Sequence, residues 1–156
     1  MSRADGIAGL TVVGADYYIV KEIVAPDGYM LEAQERTIAI VAGQVAHLAM
    51  KNSKKPSLEI LKIDSITKQP LAYATFRISY KNGEVLGNFT SDVDGRIFID
   101  GMAPGLVVIE EITAPDGYIV TNSPQEVLLK GGEAKSVTFE NTPKSPVIIK
   151  KVDTLT

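Results

Sequence analysis

The chain has no cysteine, no tryptophan and a single histidine among 156 residues. Without cysteine there is no disulfide, no thiolate nucleophile and no sulfur ligand for a metal, although this absence does not name a compartment. No run of eighteen apolar residues occurs, so no membrane insertion is expected of this segment. Neither a signal peptide nor a sorting tail is visible. Sixteen basic side chains against nineteen acidic ones leave a net charge of −3 with no basic patch, which argues against nucleic acid as a partner. His47 lies on the outward parity beside Ala49 and reads as a solvated surface residue. An enzyme acting on external substrates is therefore disfavoured, and neither a cofactor nor a metal is expected.

What the sequence does contain is itself, twice. Residues 1–67 align with residues 90–156 at a constant offset of 89, with no insertion or deletion. The landmarks are Glu22 and Glu111, the runs Ala25-Pro-Asp-Gly-Tyr29 and Ala114-Pro-Asp-Gly-Tyr118, Asn52 and Asn141, and Lys62-Ile-Asp64 with Lys151-Val-Asp153. A fixed period of this size marks a tandem repeat, here cut out of phase. Residues 57–142 form one complete unit. Residues 1–53 are the C-terminal part of an incomplete first repeat, and residues 146–156 are the opening strand of a third. Lys54-Lys-Pro56 and Pro143-Lys-Ser-Pro146 read as short, stiff linkers.

Within the complete unit, residues 58–63, 74–80, 96–99, 106–112, 125–129 and 136–140 are short stretches rich in β-branched or aromatic residues. Between them lie Asn82-Gly83, Asp94-Gly95, Asp116-Gly117 and Gly131-Gly132, dipeptides that tolerate positive φ. No sustained helical period appears. The expected class is all-β, an antiparallel sandwich.

Alternate side chains of a strand share a face. Leu58, Ile60 and Lys62 point together, as do Val107, Ile109 and Glu111, and Val137, Phe139 and Asn141. Each polar residue continues an apolar row. The other copies keep the polar identities while the apolar ones vary: Tyr18 and Val20 precede Glu22, Leu48 and Met50 precede Asn52, and Val147 and Ile149 precede Lys151.

A single lysine at a strand end ordinarily snorkels to the rim. Three such groups together need a joint account, because burying an amine, a carboxyl and an amide costs several kcal/mol unless they satisfy one another. Burial disfavours both charges, so a neutral amine beside a protonated carboxyl is expected. A neutral amine is a nucleophile. With the acid on the Asn141 carbonyl, polarising it and shuttling protons to departing ammonia, the product would be an amide between Lys62 and Asn141. Such a bond forms once, without turnover.

These residues resemble the Cna-B (SpaA-like) repeat domains of Gram-positive surface adhesins and pilins. Lys62-Ile-Asp64 is similar to their opening lysine strand and Leu71-Ala-Tyr-Ala-Thr-Phe76 to their Leu-x-Gly-Ala-x-Phe strand. Glu111-Ile-Thr-Ala-Pro-Asp-Gly-Tyr118 resembles their Glu-Thr-x-Ala-Pro-x-Gly-Tyr signature, and Val137-Thr-Phe-Glu-Asn141 their closing strand. The resemblance implies a prealbumin-like, inverse-immunoglobulin sandwich, with Lys62 and Asn141 as the isopeptide pair and Glu111 as the catalytic acid. It also implies a cell-wall-attached, extracellular protein. Two positions depart from the pattern: Tyr73 stands where glycine is usual, and Leu106 where tyrosine is frequent.

The expected function is a load-resistant stalk module of a surface adhesin or pilus-like protein, its partners being neighbouring repeats. The alternative is a domain that binds an extracellular-matrix ligand through exposed loops. The incomplete sets, Glu22 with Asn52 and Lys151 alone, are complementary, so strand complementation between chains is a further expectation. Other motifs carry less. Asp92-Val-Asp94-Gly95 is too short for a calcium loop and reads as a turn, Tyr17 and Tyr18 face opposite sides of a strand, and Lys51 to Lys55 read as solvated.

Overall fold

Lys62 takes its place because an eight-residue strand alternates without a break between the interior and the rim. The computed structural model describes residues 6–12, 14–120 and 123–151, and the chain divides into two units, Met1–Ser53 and Lys54–Thr156. The first unit holds β1 (Tyr17–Val20) and β2 (Arg36–Ala39). The second holds β3 (Ser57–Asp64), β4 (Thr75–Tyr80), β5 (Val85–Thr90), β6 (Arg96–Ile99), β7 (Gly105–Thr113), β8 (Gln125–Leu129) and β9 (Ala134–Asn141). No helix occurs among the described residues.

In the second unit a three-stranded sheet, in the order β6-β3-β9, and a four-stranded sheet, in the order β5-β4-β7-β8, enclose the core. The first contributes Leu58, Ile60, Ile97 and Phe139, the second Phe76, Ile78, Tyr80, Val107, Ile109 and Leu129. Fully burying one of the larger apolar side chains stabilises by about 1.5–3 kcal/mol. Strand alternation is visible throughout β3, where Leu58, Ile60, Lys62 and Asp64 are buried and the residues between them are half-buried.

Three features differ from the sequence reading. β3 and β9 run parallel, from Ser57 beside Ala134 to Asp64 beside Asn141, whereas the other pairings are antiparallel. First and last strands can lie parallel because the whole domain between them acts as the crossover. β5 was not foreseen. It is an edge strand that carries Gly87 and Asn88, poor strand formers, and its register against β4 shifts between Ile78 and Ser79. Lys54-Lys-Pro56 is also not a free linker: the Lys54 carbonyl accepts from Gly132 N, and the buried Pro56 accepts from Met102 N.

The first unit repeats part of this plan. β1 and β2 pair from Tyr17 opposite Ala39 to Val20 opposite Arg36, which is the β7–β8 register shifted by 89. The Ala-Pro-Asp-Gly-Tyr turns also agree, Tyr29 N donating to Pro26 O at 3.0 Å and Tyr118 N to Pro115 O at 3.1 Å. No described residue of this unit is buried. Tyr17 and His47 are exposed and Tyr18 half-buried. Residues 146–151 form no strand, since a strand needs a neighbour to pair with, and residues 152–156, Asp153 among them, lie outside the described residues.

Candidate functional site

Three strand ends meet inside the second unit. Lys62 comes from β3, Glu111 from β7 and Asn141 from β9, and their residues are 0, 4 and 1% exposed. Register explains the meeting: Lys62 pairs with Phe139, two residues before Asn141 on the same face of β9, while Glu111 faces them from the other sheet. Lys62 Nζ donates to Asn141 Oδ1 at 2.5 Å and to the Phe139 carbonyl at 3.3 Å. Asn141 Nδ2 donates to Glu111 Oε1 at 2.8 Å, and that oxygen stands 3.7 Å from Lys62 Nζ. Amine, amide and carboxyl thus form a closed triangle.

Burial is the largest influence on Lys62 and pushes its pKa down, while the nearby Glu111 carboxylate pulls the other way. The downward direction prevails. The surroundings are aromatic as well as aliphatic: Phe76 is registered with Glu111 and Phe139 with Lys62, and the two rings meet edge to face at 4.8 Å. The Lys62 backbone is held as firmly as its side chain. Its N–H donates to Gly95 O at 2.7 Å and its carbonyl accepts from Leu71 N at 2.8 Å. Gly95 has φ +71°, and a Cβ there would lie 2.4 Å from Lys62 O. The sequence marks Gly95 only as a turn glycine and Phe76 only as the end of a family-like strand, and places neither beside Lys62, although Asp94-Gly95 has its counterpart in Asp5-Gly6.

One detail of the geometry differs from expectation. The Asn141 amide turns its nitrogen, not its carbonyl, toward Glu111. In this orientation the amide oxygen accepts from Lys62 and the amide nitrogen donates to Glu111, so each end of the amide meets a complementary partner.

The first unit assembles the matching pair. Asn52 Nδ2 donates to Glu22 Oε2 at 2.6 Å and to the Met30 carbonyl at 2.9 Å, and Glu32 N donates to Glu22 Oε2 at 2.7 Å. Both side chains are half-buried. Lys151 is exposed. Asp92, the head of the rejected calcium loop, accepts from Asp94 N and Arg96 N through Oδ1 and so closes a turn.

A seven-stranded all-β sandwich with a buried lysine, glutamate and asparagine at the ends of its first, fifth and last strands defines a prealbumin-like structural domain. Residues 56–143 match the SpaA prealbumin-like fold domain, and the chain belongs to that family. Among solved structures, the Bacillus anthracis TIE protein is 29% identical with a TM-score of 0.60, over 91% of this chain and 28% of that one. GBS52, the minor pilin of Streptococcus agalactiae, is 20% identical with a TM-score of 0.54, over 92% of this chain and 89% of that one. BcpA, the major pilin subunit of Bacillus cereus, is 21% identical with a TM-score of 0.53, over 56% and 29%. No curated protein sequence matches the chain. GBS52 and BcpA are both pilins by name. This chain spans less than a third of the TIE protein's length.

Proposed function

We propose that residues 57–142 are a stalk module of an extracellular, wall-attached adhesin or pilus-like protein, tied by an amide between Lys62 and Asn141 that Glu111 helps to form. The observation that carries this reading is the 2.5 Å approach of the Lys62 amine to the Asn141 side chain in a fully buried site beside Glu111. Moving one proton from Lys62 to Glu111 reverses the preferences of the amide. A half-turn then sets its carbonyl against the new carboxyl O–H, and the amine lone pair faces Cγ. Addition makes the Nζ–Cγ bond, and collapse breaks Cγ–Nδ2. Lys62 Nζ sheds two protons in all: one remains on Glu111 and the other reaches the leaving nitrogen through the same carboxyl, so the products are one amide and one ammonia. The dry site keeps water from competing.

Closing a loop of about 80 residues would stabilise the domain by about 4.5 kcal/mol through chain entropy. The larger effect is mechanical. Because β3 and β9 are parallel, a chain pulled at both ends enters beside Ser57 and leaves beside Asn141, which loads the pair in shear. Tension then runs along residues 57–62, through the Lys62 side chain and out at Asn141, and the residues between stay unloaded. The shared register and turns of the two units support reading residues 1–53 as part of an adjoining repeat, and the match of Lys151-Val-Asp153 to Lys62-Ile-Asp64 supports the same reading of residues 146–156; such repeats are the natural partners of the module.

Intact mass tests the bond. The parent is expected to be one ammonia lighter than its sequence, and Lys62→Ala and Glu111→Ala to keep full mass. Under single-molecule load, residues 63–140 should add no length in the parent and unravel in Lys62→Ala. A parent of full mass overturns the module's covalent tie and leaves extracellular-matrix binding through exposed loops as the better reading.

A further inference from the structure

Two residues recur with the triad in the sequence, yet the chemistry above does not use them: Asp64, two residues after Lys62, and Tyr118, which closes the Ala-Pro-Asp-Gly-Tyr turn after Glu111. They meet. The Tyr118 hydroxyl donates to Asp64 Oδ2 at 2.8 Å, while Asp64 Oδ1 accepts from Ile66 N at 2.6 Å and Thr67 N at 2.9 Å. Asp64 is 5% exposed and closes β3 in register with Asn141. Both its oxygens are occupied, so the carboxylate is fixed in direction as well as in place.

The turn that supplies Tyr118 is also tied to the chain just beyond Asn141. Ile119 N donates to Thr142 O at 3.0 Å, Lys144 N to Gly117 O at 2.7 Å, and Tyr118 bridges to Pro143. Ser65 N in turn donates to Asn141 O at 2.9 Å. Three segments, each carrying one member of the triad, are thus cross-tied a few residues beyond it. Lys62 leads to Asp64 and Ser65, Glu111 leads to the turn, and Asn141 leads to Thr142 and Pro143. Asp64 and Tyr118 supply the side-chain contact between the end of β3 and the turn, and Ser65 Oγ lies 3.3 Å from Thr142 Oγ1 between the ends of β3 and β9.

We infer that Asp64 and Tyr118 are positioning residues, a latch that holds the ends of β3, β7 and β9 in reacting register before the amide exists. The inference rests on the bond-forming reading above. Neither residue touches the reacting atoms. Their part is to keep the amine within reach of Cγ, where a small displacement of one strand end lowers the rate steeply. Once the amide has formed, it holds the same strands itself, so the latch governs the rate of bond formation and not its extent.

The test follows bond formation in the full chain made by cell-free translation, with aliquots quenched in acid and the loss of ammonia read by intact mass. Losing a hydrogen bond to a charged group is expected to slow Tyr118→Phe about tenfold. Its end point should match the parent. Asp64→Asn should be slower still, because the new amide nitrogen turns a donor toward the Ile66 and Thr67 amides or toward the Tyr118 hydroxyl. Lys68→Gln removes the exposed pair to Glu140, 2.8 Å in length, which also joins the ends of β3 and β9, and should run at the parental rate.

A structural role alone would lower the folded fraction, so circular dichroism of the Lys62→Ala and Lys62→Ala/Tyr118→Phe chains is compared, and both are expected to be equally folded at the assay temperature. The rate against pH should keep its midpoint in Tyr118→Phe while its plateau falls. A Tyr118→Phe chain that matches a reactive parent overturns the latch alone, as does a rate loss that tracks the loss of folded protein. A parent that keeps its ammonia overturns the bond and the latch's role with it. Should Asp64→Asn fail to fold, Tyr118→Phe decides.

Discussion

The two units hold the same acid and amide in the same relation, and only one of them is dry. Glu22 and Asn52 meet at 2.6 Å, Glu111 and Asn141 at 2.8 Å, and both pairs sit beyond the same strand register. Around Glu111 and Asn141 two sheets close and every member of the triad is buried. Around Glu22 and Asn52 there is a two-stranded sheet, and no described residue of that unit is buried. Two four-residue strands, a turn and the segment that carries Asn52 accompany this contact of carboxyl and amide. Removing water from them takes the other five strands.

The largest expected difference between the units is therefore covalent. Peptide mapping of the purified chain should give one linked pair, Lys62 with Asn141, and one ammonia lost; a link at Asn52 would erase the distinction. Next come Gly95 and its counterpart in sequence, Gly6. Gly95 and Gly6 have φ of +71° and +77°, but a Cβ at Gly95 would strike Lys62 O whereas one at Gly6 would meet nothing within 4 Å. Gly95→Ala is expected to cost about 3 kcal/mol, from left-handed backbone plus overpacking, and to lower the main thermal transition. Gly6→Ala should leave that transition unmoved, since no described residue of its unit is buried.

The pH dependence sharpens the contrast in burial. Because burial lowers the Lys62 pKa, the uncrosslinked folded chain gives up this proton before the unfolded chain does. The unfolded state binds more protons in that window, so folding stability rises with pH there, up to the ordinary lysine value of about 10.4. The rate of ammonia loss should likewise climb with pH and level off below that value, as the neutral amine becomes the main form. A rate still rising through the range of a solvated lysine would contradict a dry site.

The smallest effect concerns Tyr73, whose φ of 65° is left-handed and whose side chain is 70% exposed. The family pattern that this strand resembles leads one to expect glycine here, and a left-handed backbone is a conformation that glycine adopts without strain. Tyr73→Gly is expected to stabilise the chain by about 1 kcal/mol in thermal melts, since a side chain in this region costs about 1–2 kcal/mol.

Much of the domain was legible because its physics is local. Alternation put Lys62, Glu111 and Asn141 on apolar rows, and the Asp-Gly and Asn-Gly pairs marked where the chain turns. β5 was hidden because Gly87 and Asn88 break the strand pattern, and what holds them is an edge pairing with β4. The parallel run of β3 beside β9 was hidden for a deeper reason: no short segment records which distant strand it will join. Asp64 and Tyr118 stood in plain view as repeated letters, but their contact spans 54 positions of sequence.

By itself, then, the sequence determined the β class, the period of 89 and the identities of three polar groups on inward faces, because side-chain parity and turn chemistry act over a few residues. Tertiary structure alone decided that the three meet in a dry interior, that the Asn141 amide turns its nitrogen to Glu111, and that the first and last strands lie side by side. Those outcomes depend on register between strands far apart in the chain, which is settled when two sheets close over a common core.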